Sequence, residues 1–455
     1  MKTICFPIEI YEREIDSRLL LAIKVASRGA KAIVGRRNNQ VFRQVSGATF
    51  FLSPGHANTS LRLVQKFEQS DNTICFHDEE GFIRQSDQIY LEQRVGQTVR
   101  QHGKINFTWN KSQDELLRSI QVSTTCITGS PKFDLPLMMK RPLPKKLRIN
   151  INTRFALANP VGEIGLEGVF ELARLNGDFT DLDRKRLIDR YEKDTVVYSE
   201  FLDLIERIGQ DGSLPTAIRV HPAESQNRYR EIAEKYRNIE VEDGVPLFDS
   251  INHTSVVVHD GCTTAFDAKL MDRHVVALRP ESVGTYYDDL ANNFSDVCCT
   301  SAGEVFELLS NVRKIQDLNS IIPLRKTMLG ELIPNSNGTF ASDLIANTLI
   351  QQSCEEPSQR VIPRVTNQAS RLMRNFLKTA KRKFRSMSFD KDVSARQVTS
   401  SYFKSKYPVE LDMEDLKFRF EKIRANVSPS KERLHDIQLM RINSEVIEIV
   451  PVSVS

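Results

Sequence analysis

The sequence predicts an α/β protein of two doubly wound, Rossmann-like lobes facing a central cleft, followed by a basic helical tail. Three observations predict this. Short β-rich runs alternate with amphipathic helical stretches from residue 1 to about 140, a second such series runs to about 350, and the composition turns strongly basic after residue 355. Alternation of this kind is expected where parallel strands are joined by crossover helices. The expected division is 1–143, 144–354 and 355–455.

In the first lobe the strand candidates are "TICFPIEI", "KAIVGR", "ATFFLS" and "NTICFHD", then the weaker "INFTW" and "TTCITG". Leu19, Leu20, Ile23 and Ala26 recur at helical spacing, and Gly29 stands where a helix end needs a left-handed residue. The stretch "MMKRPLPKKLR" joins prolines to positive charge and suits a linker. In the second lobe "KLRININT", "TAIRVHP", "NIEVED", "SVVVHD" and "HVVALRP" read as buried strands. The helices between and after them are expected near 181–209, 225–236, 264–271, 303–313 and 339–352.

From 360 to 410 there are thirteen Lys or Arg against three acids. Within that piece Leu372, Met373, Phe376, Leu377, Ala380, Phe384 and Met387 share one helical face, so residues 370–388 suit either an anionic membrane surface or packing on the second lobe.

A chain of 455 residues, 40% of them hydrophobic, buries more than one core. A net charge of +4 gives no electrostatic case for nucleic acid. The seven cysteines are scattered without a CxxC pair, so a reducing cytoplasm is the simplest setting. The start of the chain turns acidic before a signal-peptide core forms, and no run is long enough to span a bilayer. The expected location is cytoplasmic or peripheral at the inner face of a membrane.

Open parallel sheets bind ligands beyond the C-terminal ends of their strands, and three polar clusters fall there. In "CFHDEEGF", Asp78, Glu79, Glu80 and Gly81 follow a strand; a partly desolvated carboxylate at that place takes a proton from an attacking hydroxyl, although consecutive acids also make an ordinary solvated turn. In "IRVHPAES", Pro222 stops the strand and holds His221 at the sheet edge, as a phosphate ligand or as a structural histidine. In "SVVVHDGCTTAFDAKL", His259, Gly261, Cys262, Thr263 and Thr264 stand between strand and helix; Gly261 admits a close ligand and the threonines offer hydroxyl and N–H donors to an anion, the alternative being a threonine N-cap. Glu9, Arg13, Glu14 and Asp16 end the first strand, where an acceptor is met or where they serve as helix-start charges. No HExxH, phosphate-loop GKS/GKT or GxSxG motif occurs, and neither a metal nor a cofactor is implied.

The order of these motifs, with "PIEIYEREIDSRLLLAIKVASRGAKAIVG", "FTWNKSQDELL" and "ITGSPKFD", resembles the bacterial surface carbohydrate biosynthesis family over about residues 1–350. The acid-acid-Gly, His-Pro and Ser/Thr-pair set is similar to that of CMP-sialic acid transferases of GT-B architecture, and more distantly to CDP-glycerol glycerophosphotransferases. The resemblance implies Glu79 as general base, with Asp78 a less favoured substitute. It implies His221, Pro222, Thr263 and Thr264 at the leaving nucleotide phosphate, a CMP-linked acidic sugar as the first reading of the donor, and a glycan or lipid-linked acceptor. Phe266-Asp267 departs from the surface-carbohydrate pattern toward the glycerophosphotransferases, which keeps a CDP-polyol donor as the alternative. A non-catalytic subunit of the polysaccharide assembly machinery is the third reading.

Overall fold

The computed structural model describes residues 1–54, 57–68, 70–79, 81, 86–122, 124–162, 165–175, 180–284, 289–312, 317–322, 324, 333, 335, 338–352, 408, 410–427 and 437–451. Glu80 and the amphipathic stretch 370–388 lie outside the described residues.

Two α/β sheets form, as the alternation predicts. The first contains β1 (Thr3–Ile8), β2 (Lys31–Arg36), β3 (Thr49–Leu52), β4 (Thr73–His77), β5 (Ile105–Thr108) and β6 (Thr125–Ile127), with β13 (Ile437–Asn443) and β14 (Val446–Pro451) added at one edge. Its order is β13-β14-β2-β1-β3-β4-β5-β6, with β1 to β6 parallel. The second contains β7 (Ile149–Asn152), β8 (Thr216–Arg219), β9 (Ile239–Val241), β10 (Val256–His259), β11 (His274–Leu278) and β12 (Val297–Cys299) in the order β12-β11-β10-β7-β8-β9, all parallel. Strand order therefore reverses between β1 and β3 in one lobe and between β7 and β10 in the other. Those switch points are where such sheets leave a crevice.

Helix α1 (Tyr11–Ala26) is buried on nearly every side because it is covered by several elements at once. Besides the first sheet, it meets the helices Pro131–Met139, Ala341–Gln352 and Met413–Asn426. The helix Ala341–Gln352, expected to close the second lobe, packs on the first instead. Its position is fixed by ion pairs of Asp343 with Lys24 at 2.9 Å and with Arg28.

The end of the chain corrects the expectation of a helical tail. Only Met413–Asn426 is helical in its described part, and β13 and β14 form an antiparallel hairpin on β2. Alternation in "VIEIVP" buries Ile447 and Ile449 on one face, while on the other Val446 is buried and Glu448 pairs with Lys31 at 2.7 Å. The hairpin covers an otherwise bare sheet edge.

The proline-rich linker is pinned rather than loose. Arg273, almost wholly buried, donates to the carbonyls of Arg141 at 2.9 Å, Ile251 at 3.0 Å and Met271 at 2.7 Å. Asn252 adds a bond from Nδ2 to the Met139 carbonyl at 3.0 Å. No helix among the described residues is long and apolar enough to cross a membrane.

A Cβ at Gly35 would come within 2.5 Å of the Glu445 carbonyl oxygen and 2.8 Å of Val446. Overpacking of this kind costs about 1–3 kcal/mol. Gly35→Val is therefore expected to lower the unfolding free energy by about that amount and to weaken hairpin docking; urea denaturation and hydrogen exchange at β14 check it.

Candidate functional site

The second lobe's switch point gathers polar groups from three adjacent strand ends. After β10, Gly261 adopts a left-handed φ of 56° and its N–H donates to Asn292 Oδ1 at 2.7 Å. Asn292 Nδ2 also donates to Asp260 at 2.9 Å, and Arg279 pairs with the same carboxylate at 2.8 Å. Both partners hold the turn from below.

His259, expected among the phosphate ligands, is fully buried and serves this turn. Its Nδ1 accepts from the Cys262 N–H at 3.2 Å, so its Nε2 carries the proton toward Ser295 Oγ at 2.8 Å. Burial pushes its pKa down to about 4, which keeps the ring neutral. Cys262 is likewise committed inward, its thiol lying 3.3 Å from Thr264 Oγ1.

The N-cap alternative for the threonines is not what forms. Thr263 has helical backbone angles and its side chain makes no capping hydrogen bond to the helix Thr264–Leu270. Its hydroxyl is exposed and receives Lys132 Nζ, from the first lobe, at 3.5 Å. Lys132 lies at the start of Pro131–Met139, a helix capped by the Ser130 hydroxyl.

Beside these groups, Arg154 follows β7 and donates from Nη1 to the Gly261 carbonyl. His221 follows β8; its N–H donates to Thr153 Oγ1 at 3.2 Å, and its Nδ1 accepts from the Ala223 N–H at 3.2 Å. The ring proton therefore sits on Nε2, directed away from the backbone. Desolvation, then the charges of Arg154 and Arg190, hold the His221 pKa below its ordinary value. Pro222 is exposed next to it.

Glu224 is the residue that sequence reasoning missed in "HPAE". Its buried carboxylate accepts from Phe155 N at 2.7 Å, Thr153 Oγ1 at 3.0 Å and Tyr229 Oη at 2.8 Å, fastening the β7 loop to the His221 loop. The signal was an acid in a tight turn after a proline, which sequence alone does not separate from a solvated charge. Burial pushes its pKa up to about 7 against the opposing pull of those donors.

In the first lobe Glu79 is buried, 3.3 Å from Arg18, and Arg18 is 3.8 Å from Glu14. Neither Glu79 oxygen makes a hydrogen bond with a described residue. His77 stacks between Phe51 and Trp109, with its Nδ1 3.9 Å from Glu79. Burial, then the Arg18 charge, pushes the His77 pKa down to about 3. Asp78 pairs with Arg94 and accepts the Trp109 indole N–H on its carbonyl. Gly81 is required by packing, since a Cβ there would meet Gln113 Nε2 at 2.5 Å.

Of the proposed acceptor-side residues, Glu9 pairs with Arg37 at 2.8 Å, and Glu14 accepts from the Ile10 N–H at 3.0 Å and from Arg13 at 3.2 Å. Glu9, Glu14, Arg37 and Ser53 line a cavity of about 10 Å³, room for a single water. Asp16 does not join them. It pairs at 3.1 Å with Arg419 of Met413–Asn426, and burial raises its pKa against that pairing. Among the described residues no group of three or more His, Cys, Asp or Glu is placed to hold a metal.

No family model matches the chain and no curated protein matches its sequence. Among solved structures it is similar to S. aureus MnaA with UDP, at 13% identity and a TM-score of 0.49 over 79% of this chain and 100% of that one. It is also similar to the wall teichoic acid polymerase TagF, at 14% identity and 0.47 over 77% and 89% of the two chains. A UDP-GlcNAc 2-epimerase from Neisseria meningitidis bound to UDP-GlcNAc matches at 12% and 0.45 over 77% and 100%.

The raised pKa of Glu224 has a signed consequence for stability. The folded protein binds this proton more tightly than the unfolded chain, so the stability it contributes is complete below pH about 4.5 and is lost as pH rises through about 7. Glu224→Gln, permanently neutral, is expected to gain stability relative to the natural protein on going from about pH 5 to about pH 8. Parallel urea titrations check this; a difference independent of pH refutes it.

Proposed function

We propose that the protein is a glycosyltransferase that moves a sugar from a nucleotide-activated donor to a glycan or lipid-linked acceptor in the building of a bacterial surface polysaccharide. The observation that carries this reading is the gathering, beyond the ends of β8, β7 and β10, of a neutral His221 with its proton on Nε2, the Arg154 guanidinium and the exposed Thr263, whose side chain does not cap its helix, with Thr264 next to it. Such a row suits a leaving phosphate. As the bond from the anomeric carbon to the donor phosphate breaks, its electron pair passes to a phosphate oxygen, and preformed donors stabilise that charge without reorganising.

Glu79 is the base in this reading. It takes the proton of the acceptor hydroxyl as that oxygen bonds to the anomeric carbon, and its two oxygens, which make no hydrogen bond with a described residue, suit an acceptor. In this reading the acceptor hydroxyl has to reach a carboxylate that is buried beside Arg18. The same burial favours a second reading, a nucleotide-binding subunit of the assembly machinery without chemistry of its own. In the transferase reading the donor nucleotide, CMP-linked or CDP-linked, is set by the second lobe, and a CDP-polyol donor would change the group transferred, leaving the site that receives the phosphate unchanged.

Calorimetric titration with cytidine and uridine nucleotides tests the donor site. Binding is expected, weakened about 10–100-fold by His221→Ala and by Thr263→Val, since each removes a hydrogen bond to a charged group. Absence of binding by every nucleotide defeats the proposal. Glu79→Gln is expected to lower transfer by about 100-fold or more at unchanged nucleotide affinity; polysaccharide output unaffected by both Glu79→Gln and His221→Ala in the folded protein selects the subunit reading.

A further inference from the structure

We infer that Lys132, carried by the first lobe, is a ligand for the donor bound on the second, completing a two-point anion site that takes both phosphoryl groups of a nucleoside diphosphate. This rests on the donor-site reading above and deepens it.

The first point of the site is at β8, where His221 directs Nε2–H outward. The other is at β10, where the exposed Thr263 hydroxyl meets Lys132 Nζ at 3.5 Å. In the sheet β7 lies between these strands and brings Arg154 to the space between them. Neighbouring strands are about 4.8 Å apart, so β8 and β10, from which the two points extend, stand about 10 Å from each other. A single phosphate engages one end of such a row; two bridged phosphoryl groups engage both, with Arg154 at the bridge.

Charge supports the same conclusion. The acids closest to the row are already compensated: Asp260 by Arg279 and Asn292, Glu224 by three donors and a raised pKa. Lys132 also lies near Asp267, whose carboxylate is fully buried and makes no hydrogen bond with a described residue. Burial pushes the Asp267 pKa up to about 6, with Lys132 opposing. A half-buried lysine set against a carboxylate it does not hydrogen-bond has its donors available for an incoming anion. Because Lys132 belongs to the other lobe, its bond to the ligand forms only while the two lobes face each other as they do here.

Isothermal titration of the full chain with CMP, CDP, UMP and UDP tests the inference. The diphosphate is expected to bind about 10-fold or more tightly than the monophosphate of the same base, in line with one added charge-assisted contact. Lys132→Gln is expected to remove most of that difference and to change monophosphate affinity by less than about 3-fold, while Lys132→Arg, which keeps the charge if packing disfavours Gln, retains it. Equal binding of mono- and diphosphate, or a preference unchanged in Lys132→Gln, overturns the inference and leaves the donor-site reading standing. Failure of all four nucleotides to bind overturns both.

Discussion

The return of the chain to the first lobe depends on one buried carboxylate. Asp134 accepts from Ala341 N at 3.0 Å and Ser342 N at 2.6 Å, and also from Asn335 Nδ2. It thereby caps the returning helix Ala341–Gln352 with a residue of Pro131–Met139. Burial pushes its pKa up to about 6, and the three donors offset much of the cost of removing it from water. Asn335 in turn sits against Gly129, where a Cβ would come within 1.8 Å of its Oδ1 and where φ is 80°. Glycine at 129, the cap and the path of the chain back from the second lobe are one constraint. Pro131–Met139, the helix that supplies Asp134, packs Phe133 against Phe266 at 6.2 Å between ring centroids and carries Lys132 to Thr263.

Most of the fold was legible because buried parallel strands are apolar along their whole length and announce themselves without any partner. β1 to β11 coincide with runs read from the sequence, and the helix expected over 181–209 forms as Asp181–Asp211 with a Thr180 capping box. The strands β12 to β14 were not read. β12 is three residues long, and "VIEIVP" stands beyond the basic tract of 360–410 in a piece read as one helical tail, so its period of two was passed over. The hairpin also depends on the glycine at 35, more than four hundred residues earlier, and no local pattern reports that.

The site was legible at the level of position and less so at the level of role. Strand ends followed by His-Pro and by His-Asp-Gly were read as polar clusters beyond the sheet, and strand order sets β8 and β10 on either side of β7. Which histidine turns inward was not readable: His221 and His259 both accept a backbone N–H on Nδ1, but one Nε2 is exposed and the other is spent on Ser295. Lys132, Arg154 and Glu224 escaped for a related reason. Each acts through a contact at long sequence separation, and a lone charged residue after a strand or at a helix start has an ordinary local explanation. Asp16 erred the other way, a helix-start acid near the site that belongs to Arg419.

The chain crosses between the lobes at the linker and at Ala341–Gln352, and Met413–Asn426 also touches both; these connections are unequal. At the linker, buried Arg273 fills its donors with backbone carbonyls of residues 141, 251 and 271, and losing it would strand several of those groups without a partner. At the return, Asp134 acts in the same way. The tail helix joins the second lobe through Lys422 and Asp249, both partly exposed, and an exposed pair contributes at most about 1 kcal/mol. Its hold on the first lobe is firmer, with Leu416, Phe420 and Ile423 buried in the core that includes α1. The tail is thus an added layer on a core that both lobes share, and its ion pair to the second lobe adds little to that. The distance from Lys132 to Thr263, on which the proposed shared phosphate site depends, is held by the two buried polar networks and by the apolar core that runs through both lobes, and the surface ion pair contributes little to it.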